Sequence, residues 1–394
     1  YYVVTEGAFK VYDGTALTAP GKIVGLVNGE EASLSVTGSQ TNAGSSANAY
    51  AIAFDKSAKE GNYVHGADTI GSLEVTPAKA EGRISLTGSS GSKVYDGIAL
   101  TKNEQSDVTV AGGEGFVAGE TLAYEISGTQ TVVGSSENTF VATSSETAKV
   151  DNYDVTYVYG TLTVSAQSIV PDPENPDTFK GVTVDDPADS VYDGQQHKWF
   201  PVVMDAEGNA LVEGEDYTVS YDKDDFTNVT GDITVTITGM GNYTGTVTRI
   251  YQITPASVTL SSNSHEFIYT GEPQGDAAVN VTGAAELFQS QVSDLKATGS
   301  VTTVADGTVD NPISYTWKDG FTASNYTIST TSGKLSIKAK DITPTDDNGM
   351  SVSSPSNVTY NGSDQTWTPV VKDGDKVLVE GVDYELTYSG NVTD

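Results

Sequence analysis

The sequence predicts an all-β fold, built as tandem small antiparallel β-sandwich modules of the immunoglobulin-like kind in an elongated array. Three observations predict it. An aromatic turn motif recurs five times, short runs alternate apolar residues with Thr or Ser, and no amphipathic helical window of useful length occurs. Modules of the β-grasp type are the alternative.

The recurring motif is Tyr12-Asp13-Gly14, Tyr95-Asp96-Gly97, Tyr192-Asp193-Gly194, Tyr269-Thr270-Gly271 and Tyr360-Asn361-Gly362. Successive copies lie about 77 to 97 residues apart, the size of one small sandwich. A second marker, Asn62-Tyr63, Asn152-Tyr153, Asn242-Tyr243 and Asn325-Tyr326, follows each of the first four by about 51 to 58 residues. A closing strand comes next, with Leu73/Val75, Leu162/Val164, Tyr251/Ile253 and Leu335/Ile337 on one face. These marks define modules at 1–78, 79–166, 178–255, 256–339 and 340–394, with a Pro-rich spacer at 167–177. The fifth stops before a second marker and reads as truncated.

Two subtypes are visible. Modules one and two share Thr37-Gly38-Ser39-Gln40-Thr41 with Ser127-Gly128-Thr129-Gln130-Thr131, each followed by Gly-Ser-Ser, and module four carries the weaker echo Thr298-Gly299-Ser300-Val301-Thr302. Modules three and five share Trp199-Phe200-Pro201-Val202-Val203 with Trp367-Thr368-Pro369-Val370-Val371. The clearest strands are in module three, where Ile233, Val235 and Ile237 alternate with Thr234, Thr236 and Thr238, and Tyr217, Val219 and Tyr221 share a face. The joints are short, which predicts neighbours that do not tumble independently. Pro171, Pro173 and Pro176 predict a semi-rigid spacer.

Bulk properties exclude some functions. With 53 acidic and 20 basic residues the formal net charge is −33, so nucleic-acid phosphates and anionic membranes are repelled. There is no cysteine, hence neither disulfide nor thiolate metal site. No apolar stretch approaches a membrane span. An export signal and a wall attachment are expected to lie outside these 394 residues.

These markers, with the Thr-Gly-Ser-Gln-Thr and Gly-Ser-Ser segments and the Gly-Thr-Leu-Thr-Val ending at 160–164, resemble the YDG and MBG-type repeats found in tandem in large bacterial surface proteins and adhesins. The resemblance covers essentially the whole chain. It implies a secreted or cell-wall-associated location and a spacer or adhesive role, and it supplies no catalytic residue to transfer. Thr270 and Asn361 depart from the Asp of the first marker.

Candidate chemistry resolves into structural readings. Asp13, Asp96 and Asp193 suit a tight turn, because Thr270 and Asn361 stand at the same place and neither acts as a general base. His65, His197 and His265 lie at unrelated positions and are expected in solvent. The acids at Asp185/Asp186, Asp222/Asp224/Asp225 and Asp346/Asp347 lack the spacing of a calcium loop. Asn-x-Ser/Thr triplets at Asn228, Asn242, Asn280, Asn325, Asn357, Asn361 and Asn391 read as turn and strand-surface residues. Lys10 and Lys93, two residues before their marker Tyr, are the candidates for an isopeptide cross-link, which intact mass decides. Trp199 and Trp367 read as core anchors rather than sugar platforms.

No catalytic, cofactor-binding or metal-ligating residue is assigned. The expectation is a non-enzymatic stalk, a monomeric rod that projects a binding region from the cell wall. The alternative is that the modules themselves bind a host glycan or extracellular-matrix protein weakly and repeatedly. The segment 286–296, with Leu287, Phe288 and Leu295, is the candidate loop for that.

Overall fold

Where Thr alternates with Ile or Val, as in Ile233–Gly239, the strand has one apolar face and packs on one side. The computed structural model describes residues 1–27, 29–78, 84–111, 115–171 and 181–389, and arranges them as short strands in two- and three-stranded sheets. They fall into two compact units. One comprises Tyr1–Pro187, Trp199–Asp224 and Ile233–Tyr251; the other comprises Ala188–Lys198, Asp225–Asp232 and Gln252–Asp394.

The first unit holds modules one and two, built to one plan. The strand leading into the first marker, Ala8–Val11, pairs parallel with the closing strand Ser72–Thr76, which takes Gly44–Ala47 antiparallel on its other edge. Module two repeats this with Gly91–Val94, Gly160–Ser165 and Gly134–Asn138. Its opening strand Ile84–Gly88 lies between Val108–Ala111, antiparallel, and Val155–Val158, parallel. The strands of module three in this unit include the meander Tyr217–Tyr221, Ile233–Gly239 and Thr246–Tyr251. Ile233, Val235 and Ile237 are buried there, and the intervening threonines are not.

In the second unit Gly333–Lys338 lies between His265–Ile268, parallel, and Val309–Asn311, antiparallel. The opening strand Ala256–Ser262 lies between Val279–Gly283 and Tyr326–Thr331. The fold is therefore all-β with small, mostly antiparallel sheets. The parallel pairs join the first two strands of a module to its last two, which needs a long connection; here nearly the whole module is that connection. A β-grasp would lay a helix across one sheet. Among the described residues the only α-helix is Ala285–Gln291, in module four.

One correction concerns a boundary. Gln167–Ser168 forms a strand against Tyr243–Thr244 and Ile169 is buried, so the first part of the expected spacer belongs to a folded module. Pro173 and Pro176, like Lys79, Ala80 and Asn391, lie outside the described residues.

The Thr-Gly-Ser-Gln-Thr segment has a packing explanation. A Cβ on Gly38, Gly128 or Gly299 would stand 2.5, 2.4 or 2.7 Å from the Cα of Asn48, Asn138 or Asn311. Each of these asparagines is buried and donates from Nδ2 to two backbone carbonyls, Glu6 and Ala19, Ser89 and Lys102, or Asn263 and Asp276. The glycine makes room for an asparagine that ties three loops together.

Module five is thin. Its described strands are Met350–Val352, Val371–Asp373 and Lys376–Val377, and its buried apolar residues are Met350 and Val371. Tyr360 and Trp367 are exposed, whereas Tyr192 is buried and Trp199 half-buried. The core-anchor reading therefore fails for Trp367. In module three the Trp199 amide donates to the Tyr251 hydroxyl of the last meander strand, and among the described residues no such strand covers Trp367. Hydrogen exchange is expected to be fast across residues 353–370 and slow across 233–251. Equal protection in the two segments would refute the thin packing of module five.

Candidate functional site at the module joints

The five first markers are turns. Gly14, Gly97, Gly194, Gly271 and Gly362 have φ between 76° and 85°, the left-handed region that glycine enters without penalty. The residue before each glycine accepts from the backbone N–H two positions on: Asp13 from Thr15, Asp96 from Ile98, Asp193 from Gln195, Thr270 from Glu272 and Asn361 from Ser363. Asp, Asn and Thr are interchangeable in this role because each offers a side-chain oxygen. Lys10 Nζ lies 2.7 Å from Asp13 Oδ1, and Lys93 Nζ 2.6 Å from Asp96 Oδ1. The bond from Lys10, with those from Thr15, holds the Asp13 carboxyl well below the usual range. Both lysines thus brace turns as ion pairs.

The turn presents the marker tyrosine to the next module. Tyr12 meets Tyr153 edge to face with ring centroids 5.7 Å apart, Tyr95 meets Tyr243 at 5.7 Å, and Tyr192 meets Tyr326 at 5.5 Å. The second marker therefore completes a joint, although its sequence position suggests a landmark within its own module. A short 3₁₀ turn, Val150–Asn152 or Ala323–Asn325, ends on the asparagine and sends the tyrosine into extended backbone.

The asparagine clamps the preceding module. Asn152 Oδ1 accepts from the Ala43 amide at 2.8 Å and its Nδ2 donates to Asn42 Oδ1 at 3.1 Å. Asn325 repeats this with the Val229 amide at 2.9 Å and Asn228 Oδ1 at 2.8 Å, and Asn242 Oδ1 accepts from the Val133 amide at 3.0 Å. Asn152 and Asn325 are buried. The reading of Asn242 and Asn325 as mere turn or surface residues is corrected: their amides are spent on the joint.

A third group bridges the two phenols. Glu120 accepts from Tyr12 at Oε1, 2.6 Å, and from Tyr153 at Oε2, 2.5 Å, while the Val117 amide donates to the Tyr153 hydroxyl. In module four Gln291 takes this place, with Oε1 accepting from Tyr326 at 2.9 Å and Nε2 donating to Tyr192 at 3.0 Å. Sequence reasoning did not single out either residue. For glutamate a signal existed in the shared pattern Val27-x-Gly29-Glu30 and Val117-x-Gly119-Glu120. For Gln291 none did, because a helix delivers it.

That helix, Ala285–Gln291, occupies the segment expected to be a binding loop. Phe288 is fully buried, edge to face with Tyr315, Trp317 and Tyr326. The expectation of an exposed aromatic loop at 286–296 is overturned, because Phe288 fills the core beneath the joint.

The histidines and several of the clustered acids have local partners. His65 stacks on Tyr1 and lies 2.8 Å from Asp68; His265 stacks on Phe267. His197 is half-buried rather than in open solvent, because its Nε2 lies 2.8 Å from the marker carboxylate of Asp193. Asp225 accepts from the Thr227 and Asn228 amides, Asp222 from the Thr234 amide, and Asp186 pairs with Arg249.

Burial and neighbouring acids act on the joint tyrosines. Tyr12 is pushed up to about 12 by burial and by its bond to Glu120, Tyr243 to about 12 by burial and the Asp216 charge, and Tyr326 to about 12 by burial. Tyr153 is raised for the same reasons as Tyr12. Folding thus favours the neutral phenols. Their contribution is complete below pH 10, the ordinary tyrosine value, and is lost as pH rises through about 12. Alkaline titration followed by tyrosinate absorbance is expected to show these rings ionising together with loss of the fold. Ionisation at the ordinary value in a still-folded protein would refute the joint geometry.

No protein-family model matches the chain, and no curated protein sequence matches it. Among solved structures, it is similar to surface layer protein SbsC, domains 1–6, at 15% identity and TM-score 0.21, over 100% of this chain and 68% of that one. It is also similar to the protocadherin GammaB4 extracellular domain, at 10% identity and TM-score 0.19, over 90% and 69%. A third is the Sidekick-1 immunoglobulin domains 1–5, at 10% and 0.18, over 84% and 77%. Likeness at this level carries no information about the site.

Proposed function

We propose that the chain is the stalk region of a bacterial cell-surface protein, of the YDG/MBG repeat kind, secreted or wall-associated, whose modules hold a binding region away from the cell. The observation that carries this reading is the joint. A three-part lock, a marker tyrosine, an Asn-Tyr pair and a bridging Glu or Gln, stands where module one meets module two and where module three meets module four, and Tyr95, Asn242 and Tyr243 repeat its first two parts between modules two and three. A spacer needs stiffness at its joints more than it needs a pocket, and a hydrogen-bonded aromatic contact supplies stiffness without a long linker.

A non-catalytic role agrees with this. The marker acids are engaged in turns, and the bridging acid of module two is engaged by two phenols. The strongly negative surface keeps such a protein soluble and free of non-specific contact with anionic envelopes. Small-angle scattering tests the reading: an extended particle is expected, and a maximum dimension typical of a compact globule of this mass would end it.

A further inference from the structure

Two joints are closed by a side chain beside the marker glycine. A Cβ on Gly14 would stand 3.8 Å from Glu120 Oε1, and one on Gly194 would stand 4.0 Å from Gln291 Nε2. These are the two residues that bridge the phenols. The joint between modules two and three is built differently. A Cβ on Gly97 would meet nothing within 4 Å, and a cavity of about 140 Å³ lies there, lined by Tyr95, Gly97, Tyr243 and the acids Asp96, Asp205 and Glu207. Tyr95 and Tyr243 still meet edge to face. Tyr243 is 8% exposed, yet among the described residues no group hydrogen-bonds its hydroxyl or that of Tyr95.

A buried phenol without an acceptor is costly, so this pair calls for a ligand oxygen between the two hydroxyls. The bridged joints define the chemistry of that ligand. Glu120 offers two acceptor oxygens, and Gln291 offers one acceptor to Tyr326 and one donor to Tyr192. A carboxylate is disfavoured at the third joint, because Asp96, Asp205 and Glu207 already place negative charge around the cavity. An ammonium group brings donors and no acceptor. A neutral amide meets both conditions, as Gln291 does. Asp96 and Asp205 are engaged by Lys93 and Asn209, whereas the Glu207 carboxylate is exposed and suits the hydroxyl groups of a ligand.

We propose that this joint binds an N-acetylated amino sugar, whose acetamido group enters between Tyr95 and Tyr243. The acetamido carbonyl accepts from the Tyr243 hydroxyl and its N–H donates to the Tyr95 oxygen, while sugar hydroxyls donate to Glu207. A cavity of this size holds roughly six non-hydrogen atoms, as a comparable one holds benzene. That is the acetamido group with the adjoining ring carbons, and the rest of the sugar stays in solvent. A spacer needs no such ligand, so failure of this proposal would leave the stalk reading standing.

Saturation-transfer NMR of N-acetylglucosamine with the full chain tests it. The acetamido methyl should receive the strongest saturation, with a Kd of about 1 mM, the affinity a ligand of this size reaches at a small site. Glucose, glucosamine and acetate lack the amide and should bind at least about tenfold more weakly. Tyr243→Phe and Tyr95→Phe keep each ring and remove one hydroxyl, and each should weaken binding about tenfold. Tyr157→Phe, which removes a hydroxyl elsewhere in module two, should leave it unchanged. No saturation of the sugar at about 50 mM, far above such a Kd, would overturn the proposal. So would glucosamine binding as tightly as the N-acetylated sugar, or Tyr243→Phe and Tyr95→Phe binding like the parent. Propionamide binding as tightly as the sugar would overturn it as well, because the site would then take an amide from any source.

Discussion

Tyr153→Ala is expected to destabilise the first unit by about 3–5 kcal/mol, the usual cost of removing a buried aromatic side chain. The ring sits in the continuous core of module two with Tyr12, Val75, Ile84 and Leu86, and edge to face with Phe116 at 4.9 Å. Its loss also strips Glu120 of one of two phenol donors. Because Tyr12 and Val75 of module one share that core, the first two modules should unfold as one transition in the parent and as two in the variant. Tyr153→Phe keeps the ring and removes only the hydroxyl, for a cost of about 1–3 kcal/mol. Urea denaturation measures both, with the exposed Tyr360→Ala as a control expected within about 0.5 kcal/mol of the parent. A Tyr153→Ala variant as stable as that control would dismiss the joint.

Gly160→Ala is expected to cost more than about 3 kcal/mol, at the severe end for a single methyl group. A Cβ there would stand 2.1 Å from the Ser89 carbonyl oxygen and 2.4 Å from its carbon, so the backbone itself must move. The glycine opens the closing strand where the opening strand's corner passes over it, and Gly71 and Gly333 repeat the arrangement at 2.2 Å from Glu6 and 2.1 Å from Asn263. Gly97→Ala makes a useful contrast. Its Cβ would meet nothing within 4 Å, and its φ of 76° alone should cost about 1–2 kcal/mol. Thermal melts that rank Gly97→Ala as the more damaging would mean that the corner is looser than its geometry indicates.

Much of the fold was legible because its signals are local. A Tyr-Asp-Gly turn needs a side-chain oxygen and a left-handed glycine within four residues, and alternating Ile and Thr across residues 233–238 needs only the pleat of a strand. The parallel pairing of a module's early strands with its late ones was not legible, because an apolar alternation gives the buried face and not the direction of the neighbour. The helix at Ala285–Gln291 was hidden for a related reason. Seven residues are too few for a periodic pattern, and Phe288 owes its burial to Tyr315, Trp317 and Tyr326 rather than to its own segment.

The joints mark the division most clearly. The sequence by itself determined that both markers recur and that the first is a turn. Only the tertiary structure decided that the markers of successive modules meet. Tyr12 and the Glu120 that receives it are 108 residues apart, and Gln291 does the same work from a helix. Turn chemistry is set by a residue's own backbone and its nearest neighbours. A hydrogen bond across a module boundary is set by where two separately folded surfaces are brought, so residues as different as Glu120 and Gln291 can fill one role without sharing a motif.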